Sequence, residues 1–331
     1  MILLTGANGH LGANLLRRLL ADSETVRVLL RPSSDNSTVD GLAVDRAYGD
    51  LRDPKSLAEA IRGVERIYHC AAQISTTAGG EQEMFANNVL GTRNLLQAAA
   101  AGGVTRVVVS GSLSAIGHRP DRPTDETEPF NPFEPHLPYA FTKAGVDHEC
   151  AKAAAEGQDV VVAISCAILG PNDFKPSRMG QLLINFANGR QRAYLPGGFE
   201  FVAARDIAEG HVLAMRKGRS GQRYIFSSGF MTLGQIFEIY RELTGQPKPM
   251  RLPPACALAL AQMNEFVYRR LLAGKRPLLT PAAVRLLLMG RRADTAKAQS
   301  ELGFRPTSIA DAVREAYQWF VARGRITPAT P

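Results

Sequence analysis

The sequence contains little cysteine and no long apolar run. Four cysteines are scattered through 331 residues, with no CxxC pair and no Cys/His spacing that would hold a metal. This pattern predicts buried, reduced thiols and no metal site. No apolar run approaches the length of a transmembrane helix. The N-terminus also lacks a basic segment followed by an apolar core and a cleavage site, so we expect a cytoplasmic protein. The cysteines are Cys70, Cys150, Cys166 and Cys256.

Negative charge is scarce only in the last quarter of the chain. Residues 241–331 hold 15 of the 39 Lys and Arg but 6 of the 31 Asp and Glu, so they carry the whole excess behind the formal charge of +8. A solvated basic face explains this, and attraction to an anionic membrane surface or an acidic substrate is the alternative. Basic and aromatic residues are not interleaved, so we expect no nucleic-acid partner.

Apolar runs and helical patterns alternate over the first 170 residues. Several runs are rich in Val, Ile and Leu without alternation, which is typical of strands covered on both faces. The predicted strands are Ile2–Thr5, Val26–Leu30, Arg66–Cys70, Arg106–Ser110 and Val160–Cys166, and the predicted helices are Leu11–Leu20, Pro54–Ile61, Met84–Ala101 and Pro138–Ala155. This order predicts an α/β fold with a Rossmann-type, doubly wound parallel sheet over residues 1–170.

Residues 171–331 follow a different rhythm, with shorter elements separated by Gly and Pro. We expect a smaller, mainly helical substrate-binding lobe, with part of the chain returning to the sheet. Asp53 and Ser308 are predicted helix N-caps. The predicted helices of this half are Arg178–Asn188, Asp206–Met215, Leu233–Leu243, Pro254–Leu272, Pro281–Leu288, Thr295–Leu302 and Ser308–Arg323.

A glycine-rich loop, TGANGHLG over Thr5–Gly12, follows the first strand and opens the first helix. Gly6 permits a tight turn, Gly9 lets the backbone approach a pyrophosphate, and Gly12 lets the helix pack closely on the strand. The helix N-terminus then offers free N–H groups to the phosphates. The position between strand and helix predicts a dinucleotide site.

The residue at the end of the second strand distinguishes the two nicotinamide cofactors. A carboxylate there would hold the ribose 2′-hydroxyl of NAD, whereas an arginine accommodates the 2′-phosphate of NADP. Arg31 occupies this place, and the nearest carboxylate, Asp35, follows four residues later. The sequence therefore favours NADP(H) over NAD(H), although an ordinary surface arginine is the alternative.

Tyr139 and Lys143 stand four residues apart just after Pro138, so they share one face of the predicted helix. A nearby cation lowers the pKa of a phenol, which makes it usable as a proton donor and acceptor. The pair follows the segment Val107–Ser114, where a strand delivers hydroxyl groups to the carboxyl edge of the sheet. Ligands of such sheets bind at that edge.

These motifs together resemble the extended or atypical short-chain dehydrogenase/reductase family over nearly the whole chain. The glycine loop is similar to the family's TGxxGxxG, Asn88–Thr92 to its NVxGT helix signature, and Gly170-Pro171 to the GP beside the nicotinamide. The most similar sub-groups are dihydroflavonol-reductase-like, 3β-hydroxysteroid-dehydrogenase-like and hopanoid-associated sugar-epimerase-like. The resemblance implies cofactor-binding roles for Gly6, Asn8, Gly9, His10, Leu11, Gly12, Arg31, Asp50, Leu51, Ala71, Ala72, Gln73, Ser110, Tyr139, Lys143 and Ile168.

The resemblance also implies a catalytic set. Tyr139 donates a proton to a carbonyl oxygen, Ser112 polarises that oxygen, and Lys143 lowers the pKa of Tyr139 and holds the nicotinamide ribose. Asn88 is expected to support a proton-relay water. The expected reaction is NADPH-dependent hydride transfer to a ketone or aldehyde, or its reverse, on a hydrophobic substrate that is steroid-like or an aryl or polyketide compound. The substrate contacts are expected from Ser114, Phe174, Met179, Leu183 and Tyr194, within the segments 113–137 and 172–199.

Two other functions stay open. A nucleotide-sugar epimerase or dehydratase would use Tyr139 with a tightly held NAD, but Arg31 and the absence of a Q-x-R stretch before Phe201 argue against it. A non-catalytic NADP-sensing protein would lack the tyrosine. The segment 258–276, rich in apolar residues beside Arg269, Arg270, Lys275 and Arg276, fits a packed lobe helix or a peripheral membrane contact. A homodimer is the remaining partner expectation.

Overall fold

A parallel sheet flanked by helices forms the larger part of the computed structural model, which describes residues 1–74, 80–130, 138–271 and 280–327, without the side chains of residues 269 and 271. The strands of this described part are β1 (Ile2–Thr5), β2 (Val26–Leu30), β3 (Asp45–Tyr48), β4 (Arg66–His69), β5 (Arg106–Ser112), β6 (Val160–Ser165), β7 (Ala167–Leu169), β8 (Ala193–Tyr194), β9 (Gly198–Ala203), β10 (Arg223–Phe226), β11 (Gly229–Thr232) and β12 (Met250–Arg251).

Seven of these strands form one sheet in the order β10-β6-β5-β4-β1-β2-β3, and every neighbouring pair is parallel. The order reverses between β1 and β4, which places a crevice at their carboxyl ends. Two small sheets, β11-β9-β7 and β12-β8, lie outside the large one. The predicted Rossmann-type architecture is confirmed.

The helices of the described residues cover the sheet and build the second half of the chain. They are α1 (His10–Ala21), α2 (Pro54–Ala60), α3 (Glu81–Phe85), α4 (Gly91–Ala101), α5 (Pro138–Ala155), α6 (Arg178–Ala187), α7 (Ala204–Lys217), α8 (Leu233–Thr244), α9 (Pro254–Leu271), α10 (Pro281–Leu288) and α11 (Ile309–Ala322). Single 3₁₀ turns occupy Ser37–Val39 and Leu113–Ala115, and π-helical turns occupy Ala86–Leu90 and Ala298–Leu302.

The second half of the chain returns to the large sheet through β10 and α7. β10 pairs with β6 from Arg223↔Val162 to Phe226↔Ser165, and α7 packs against α1, β5 and β6. Helices therefore cover both faces of the central strands, and Val107, Val108 and Ile164 are fully buried. This two-sided burial explains why the central strands show no apolar–polar alternation.

A second apolar core lies between α6, α8 and α11. The rings of Phe186 and Phe237 stack with centroids 5.0 Å apart, and Tyr240 meets Phe186 edge-on. Across the described ranges, the helices fall short of the length and apolar character that crossing a bilayer requires. Cys150 and Cys166 are buried, but Cys256 is exposed on α9, so the prediction of a buried thiol is wrong at that position.

The two predicted N-cap residues differ in whether their side chains make a capping hydrogen bond. The Asp53 carboxylate accepts from the Lys55 amide at 3.0 Å, which confirms its role at the start of α2. Ser308 precedes α11, but its hydroxyl makes no capping hydrogen bond, so that prediction is wrong in its chemistry. The helix predicted over 84–101 is continuous from residue 81 to 101, with the π turn inside it.

Candidate active site

The glycine loop turns sharply between β1 and α1. Gly6 has φ +78°, and a Cβ there would lie 2.5 Å from the Ala71 nitrogen, so a side chain is excluded by both conformation and space. A Cβ on Gly12 would lie 2.1 Å from the Gly6 carbonyl oxygen. The first turn of α1 is therefore pressed against the loop, and the Gly9 amide donates back to the Gly6 carbonyl at 2.9 Å.

A cleft of about 510 Å³ opens above this loop at the carboxyl ends of β1, β2 and β4. It contains most of the predicted cofactor residues, and its floor is the loop itself. The predicted residues that line it are Gly6, Asn8, Gly9, Arg31, Asp50, Leu51, Ala71, Ala72 and Gln73.

The polar groups of this cleft fit a nicotinamide dinucleotide. The Asn8 side-chain oxygen is buried without a hydrogen-bond partner among the described residues, beside the free N-terminus of α1. A group that brings hydrogen-bond donors, such as a ribose, would satisfy it. At the other end, Asp50 accepts from Arg52 at 2.7 and 3.0 Å, and this hydrogen bonding lowers the pKa of the Asp50 carboxyl, which stays ionised beside the cleft.

Other predicted cofactor residues lie behind or beyond this cleft. His10 Nε2 is 2.9 Å from the Pro171 carbonyl oxygen and thus ties α1 to the chain after β7. Burial lowers the pKa of that imidazole. Leu11 and Ile168 pack partly buried against the main core. Their contacts with a cofactor stay predictions.

A residue that the sequence did not single out, Lys175, lines the same cleft as Arg31. Its ammonium donates to the Asp35 carbonyl at 2.8 Å and lies 4.0 Å from the Asp35 carboxylate. The Asp35 carboxylate also accepts from the Ser37 amide at 3.0 Å. The cleft therefore has two cations beside the loop after β2, Arg31 of that loop and Lys175 from later in the chain, and the Asp35 carboxylate is engaged by Ser37 and Lys175.

Lys143 is anchored at the end of β5. It is 4% exposed, and its ammonium donates to the Ser110 carbonyl at 2.5 Å. The Ser110 hydroxyl in turn lies 2.8 Å from Nε2 of His211, whose Nδ1 meets the Ile207 carbonyl of α7. Ser110 therefore contacts Lys143 through its carbonyl and the buried His211 through its hydroxyl. Burial lowers the pKa of His211 to about 4, so its imidazole is neutral near pH 7.

The Ser112 hydroxyl lies close enough to the Tyr139 phenol to lower its pKa. Ser112 lies 2.8 Å from the Ser114 hydroxyl, and the 3₁₀ turn after β5 holds both serines. Burial raises the pKa of Tyr139 to about 12, with the Asp147 carboxylate acting in the same direction and the Ser112 hydroxyl against it. The net shift is upward, and the predicted lowering of this pKa by Lys143 stays a prediction.

Asn88 occupies the π turn between α3 and α4. Its oxygen accepts from the Gln73 amide at 2.7 Å, while its nitrogen donates to the Gln73 carbonyl at 2.9 Å and to Thr142 Oγ1 at 3.0 Å. Both amide hydrogens are used, whereas the oxygen keeps a second lone pair that can accept from a water. These bonds link the segment after β4 to the helix of Tyr139, and the relay role stays a prediction.

The predicted substrate wall is only partly supported. Leu183 is fully buried in the second core, so the prediction that it touches substrate is wrong. The Phe174 ring is covered by the guanidinium groups of Arg17 and Arg323, 4.8 and 4.5 Å from its centroid, which also removes it from a pocket wall. Met179 and Tyr194 are partly buried, and their role stays a prediction. Residues 131–137 of the predicted loop lie outside the described residues.

The helix α9 presents an apolar face to solvent. Leu260, Met263 and Phe266 are 40%, 59% and 61% exposed, whereas Ala257 and Ala261 form its buried side. Leu258 also packs partly buried beside these alanines, so the predicted packed lobe helix describes one side of α9 and not the exposed face. Lys275 and Arg276 lie outside the described residues.

Comparison with known proteins agrees with this geometry. The NAD dependent epimerase/dehydratase family matches residues 2–227. The chain is 45% identical to sterol demethylase protein B of Methylococcus capsulatus over 98% of this chain and 99% of that protein. It is 32% identical to a putative dihydroflavonol 4-reductase of Synechocystis sp. over 97% and 95% of the two chains. The crystal structure of gox2253 superposes with a TM-score of 0.86 at 33% identity, covering 99% of each chain.

The fold, the glycine loop and these relatives define an enzyme that binds a nicotinamide dinucleotide. The chain belongs to the NAD dependent epimerase/dehydratase family, within the extended short-chain dehydrogenases/reductases. It is an NAD(P)-dependent enzyme of that family, as the resemblance implied.

Proposed function

We propose that the protein is an NADPH-dependent oxidoreductase that interconverts a carbonyl group and an alcohol on a hydrophobic, sterol-like substrate. The observation that carries the proposal is the proximity of the Tyr139 phenol to the Ser112 hydroxyl, on the helix that also carries the buried Lys143. A phenol, a hydroxyl and an ammonium converge at the carboxyl edge of β5, next to the cleft that fits a dinucleotide.

Each residue of the site has a separate role in the proposed reaction. A nicotinamide dinucleotide held by the glycine loop and the cleft would supply the hydride. Tyr139, whose phenol stays protonated because burial raises its pKa to about 12, donates the proton to the carbonyl oxygen. Ser112 donates a hydrogen bond to the same oxygen and polarises the carbonyl. Lys143 supplies a buried positive charge, although burial lowers its pKa.

Preference for NADP(H) rests on the cations beside the loop after β2. Arg31 and Lys175 line the same cleft, and Asp35 is engaged by Ser37 and Lys175. A 2′-phosphate would meet two positive charges there, because charge-assisted hydrogen bonds to phosphate are among the stronger polar contacts. The ribose 2′-hydroxyl of NAD would find no free carboxylate among these groups.

The substrate class rests on a relative. The protein that shares 45% identity over nearly the full chain is named for sterol demethylation. Met179 and Tyr194, which are partly buried at the edge of the second core, are the two predicted wall residues that stay available to an apolar substrate. We therefore expect a carbonyl or alcohol on a sterol ring to be the reacting group.

An epimerase or dehydratase with tightly bound NAD is the second candidate, because the family includes such enzymes by its description. The same tyrosine would serve that chemistry. The cationic loop after β2 argues against it, since retained NAD carries no 2′-phosphate.

The Tyr139→Phe variant tests the proposal. The purified protein is mixed with NADPH and a panel of one 3-keto steroid, one aryl ketone and one aliphatic ketone, and oxidation of NADPH is followed. We expect turnover of the steroid to fall by about 10²–10⁴-fold in the variant, while NADPH binding stays unchanged. Tyr68→Phe, at a fully buried tyrosine of β4, is the matched control. Full turnover in the Tyr139 variant contradicts the proposal.

A membrane surface is a further partner that a sterol-like substrate favours. The exposed apolar residues of α9, with the Arg270 guanidinium 5.6 Å from the Phe266 ring centre, would enter the interface of an anionic bilayer. Sedimentation with phosphatidylglycerol vesicles is expected for the protein and lost in Phe266→Glu. Equal sedimentation of both forms contradicts this contact.

A further inference from the structure

Asp147 is a buried carboxylate that the roles above do not use. It lies one helical turn after Lys143 on α5 and is 2% exposed. Neither of its carboxylate oxygens has a hydrogen-bond partner among the described residues. A buried charge without a partner is costly, so a residue of this kind in a protein calls for a functional explanation.

The surroundings of Asp147 show which group it influences. Its two charged neighbours are cations, Lys143 on its own helix and Arg223 on β10. Nη2 of Arg223 donates to the backbone carbonyls of Glu126 and Glu128, whereas its Nη1 is buried without a hydrogen-bond partner among the described residues. Asp147 also acts on Tyr139, the group proposed to transfer the proton.

The other titratable groups that act on this cluster are neutral or paired. Burial raises the pKa of Cys70 and Cys150, and it lowers the pKa of His69 and His211, so none of these four carries charge near neutral pH. Glu149 binds Arg93 at 2.7 and 3.0 Å, which lowers the pKa of its carboxyl and pairs its charge. Asp147 is therefore the unpaired anion that faces Lys143 within the described part of the chain.

We propose that Asp147 is a positioning residue that acts as the electrostatic counter-ion of Lys143 and thereby governs proton transfer at Tyr139. The inference rests on the proposed role of Tyr139. An anion below the pair favours the ammonium form of Lys143 and the protonated form of Tyr139, which is the state required for donating a proton to a carbonyl. Burial raises the pKa of Asp147 to about 6. The carboxyl therefore becomes negatively charged, and acts on Lys143 and Tyr139, as the pH rises through about 6.

The pH profile of kcat/KM tests the inference. We would measure NADPH-dependent reduction of the 3-keto steroid by the wild type, Asp147→Asn, Asp147→Glu and the control Glu149→Gln. In Asp147→Asn the alkaline limb should move to lower pH by about one unit, which is about a tenfold loss of kcat/KM at a fixed pH on that limb. KM should not change, and Asp147→Glu should restore the wild-type profile. Superimposable profiles of wild type and Asp147→Asn would overturn the inference.

Thermal unfolding supplies a readout that needs no substrate. The raised pKa means that the fold favours the protonated carboxyl, so its ionisation removes stability as the pH rises through about 6. The Tm of Asp147→Asn, relative to wild type, should therefore increase between about pH 4 and about pH 6 and level off above that, whereas Glu149→Gln should lose the stability of an ion pair and show no such rise. A pH-independent difference would also overturn the inference.

The two proposals fail in different ways. Loss of turnover in Tyr139→Phe together with an unmoved profile in Asp147→Asn overturns only the role of Asp147. Full turnover in Tyr139→Phe overturns the proposed function and this inference together.

Discussion

The ammonium of Lys143 donates a hydrogen bond to the backbone carbonyl of Ser110, with the two atoms 2.5 Å apart. This bond joins α5, which carries Tyr139, to the end of β5, which carries Ser112. Because the lysine is buried, it cannot exchange this partner for water without moving the helix. The proton donor and the polarising hydroxyl are thus held together by the same residue that supplies the charge.

Replacing Lys143 by Met should therefore lower both catalysis and stability. We expect kcat/KM to fall by about 10²-fold or more, because the charge and the anchor are both lost. The substitution also leaves the buried Asp147 carboxylate without its counter-ion, so the free energy of unfolding should fall by about 3–5 kcal/mol. Steady-state kinetics and chemical denaturation measure the two effects.

The exposed Lys152 on the same helix provides the control, and Lys152→Met should keep wild-type kinetics. A Lys143→Met variant with unchanged kcat/KM would contradict the role of the lysine.

Asn88→Ala should lower stability as well as activity. The substitution removes three hydrogen bonds, two of them to the half-buried backbone of Gln73, at about 0.5–1.5 kcal/mol for each bond lost. Since Gln73 lines the cleft, the dissociation constant of NADPH should rise as well. Denaturant titration and fluorescence titration with NADPH check both effects. Loss of kcat alone, with stability and binding unchanged, would instead favour a relay role.

The preference for NADPH over NADH should depend on both Arg31 and Lys175, the two cations that line the cleft beside the loop after β2. Arg31→Ala and Lys175→Ala are each expected to weaken NADPH binding by about tenfold or more, because each removes a charge-assisted contact worth about 1.5–3 kcal/mol. NADH binding should change little, since NADH lacks the 2′-phosphate. Isothermal titration with both cofactors measures the difference.

Arg46→Ala is a suitable control for these variants, because this arginine of β3 binds Asp40 outside the cleft. If the Arg31 and Lys175 variants lose as much affinity for NADH as for NADPH, neither residue binds the 2′-phosphate.

Arg291 holds the segment that follows the catalytic serines. It is 8% exposed, and its guanidinium donates to the carbonyls of Ile116 and Gly117 at 2.7 and 2.6 Å and to Thr124 Oγ1 at 3.2 Å. Arg291→Met should reduce the free energy of unfolding by about 3–5 kcal/mol, because buried polar groups lose their partner. KM should rise more than kcat falls. Arg292→Met is the control, because the neighbouring Arg292 stacks on Phe230. Equal stability of the two variants would contradict the proposed role of Arg291 in holding the segment after the serines.

The sequence predicted those parts of the fold in which local pattern and tertiary burial agree. The central strands are apolar throughout because helices cover both faces, and the glycine loop has its form because Gly6 and Gly12 must approach their neighbours closely. The edge strand β3 escaped prediction because Asp45, Arg46 and Tyr48 are exposed and lack the apolar character of a central strand.

The site was less predictable, because its chemistry depends on contacts between distant segments. Lys175 reaches the loop after β2 from 140 residues away, and no local motif marks it. The pKa of Tyr139 depends on its burial, which spacing along a helix does not reveal. Asn88 matched a family motif, but its three hydrogen bonds show that the residue connects β4 to α5.

The cofactor content of the purified protein tests the central claim most directly. The protein would be denatured, the released nucleotide identified, and the empty protein titrated with NADPH and NADH. A reductase that exchanges its cofactor in every turnover should release less than stoichiometric nucleotide and bind NADPH more tightly than NADH by about tenfold or more. One tightly held NAD per chain would contradict the account and establish the epimerase or dehydratase alternative.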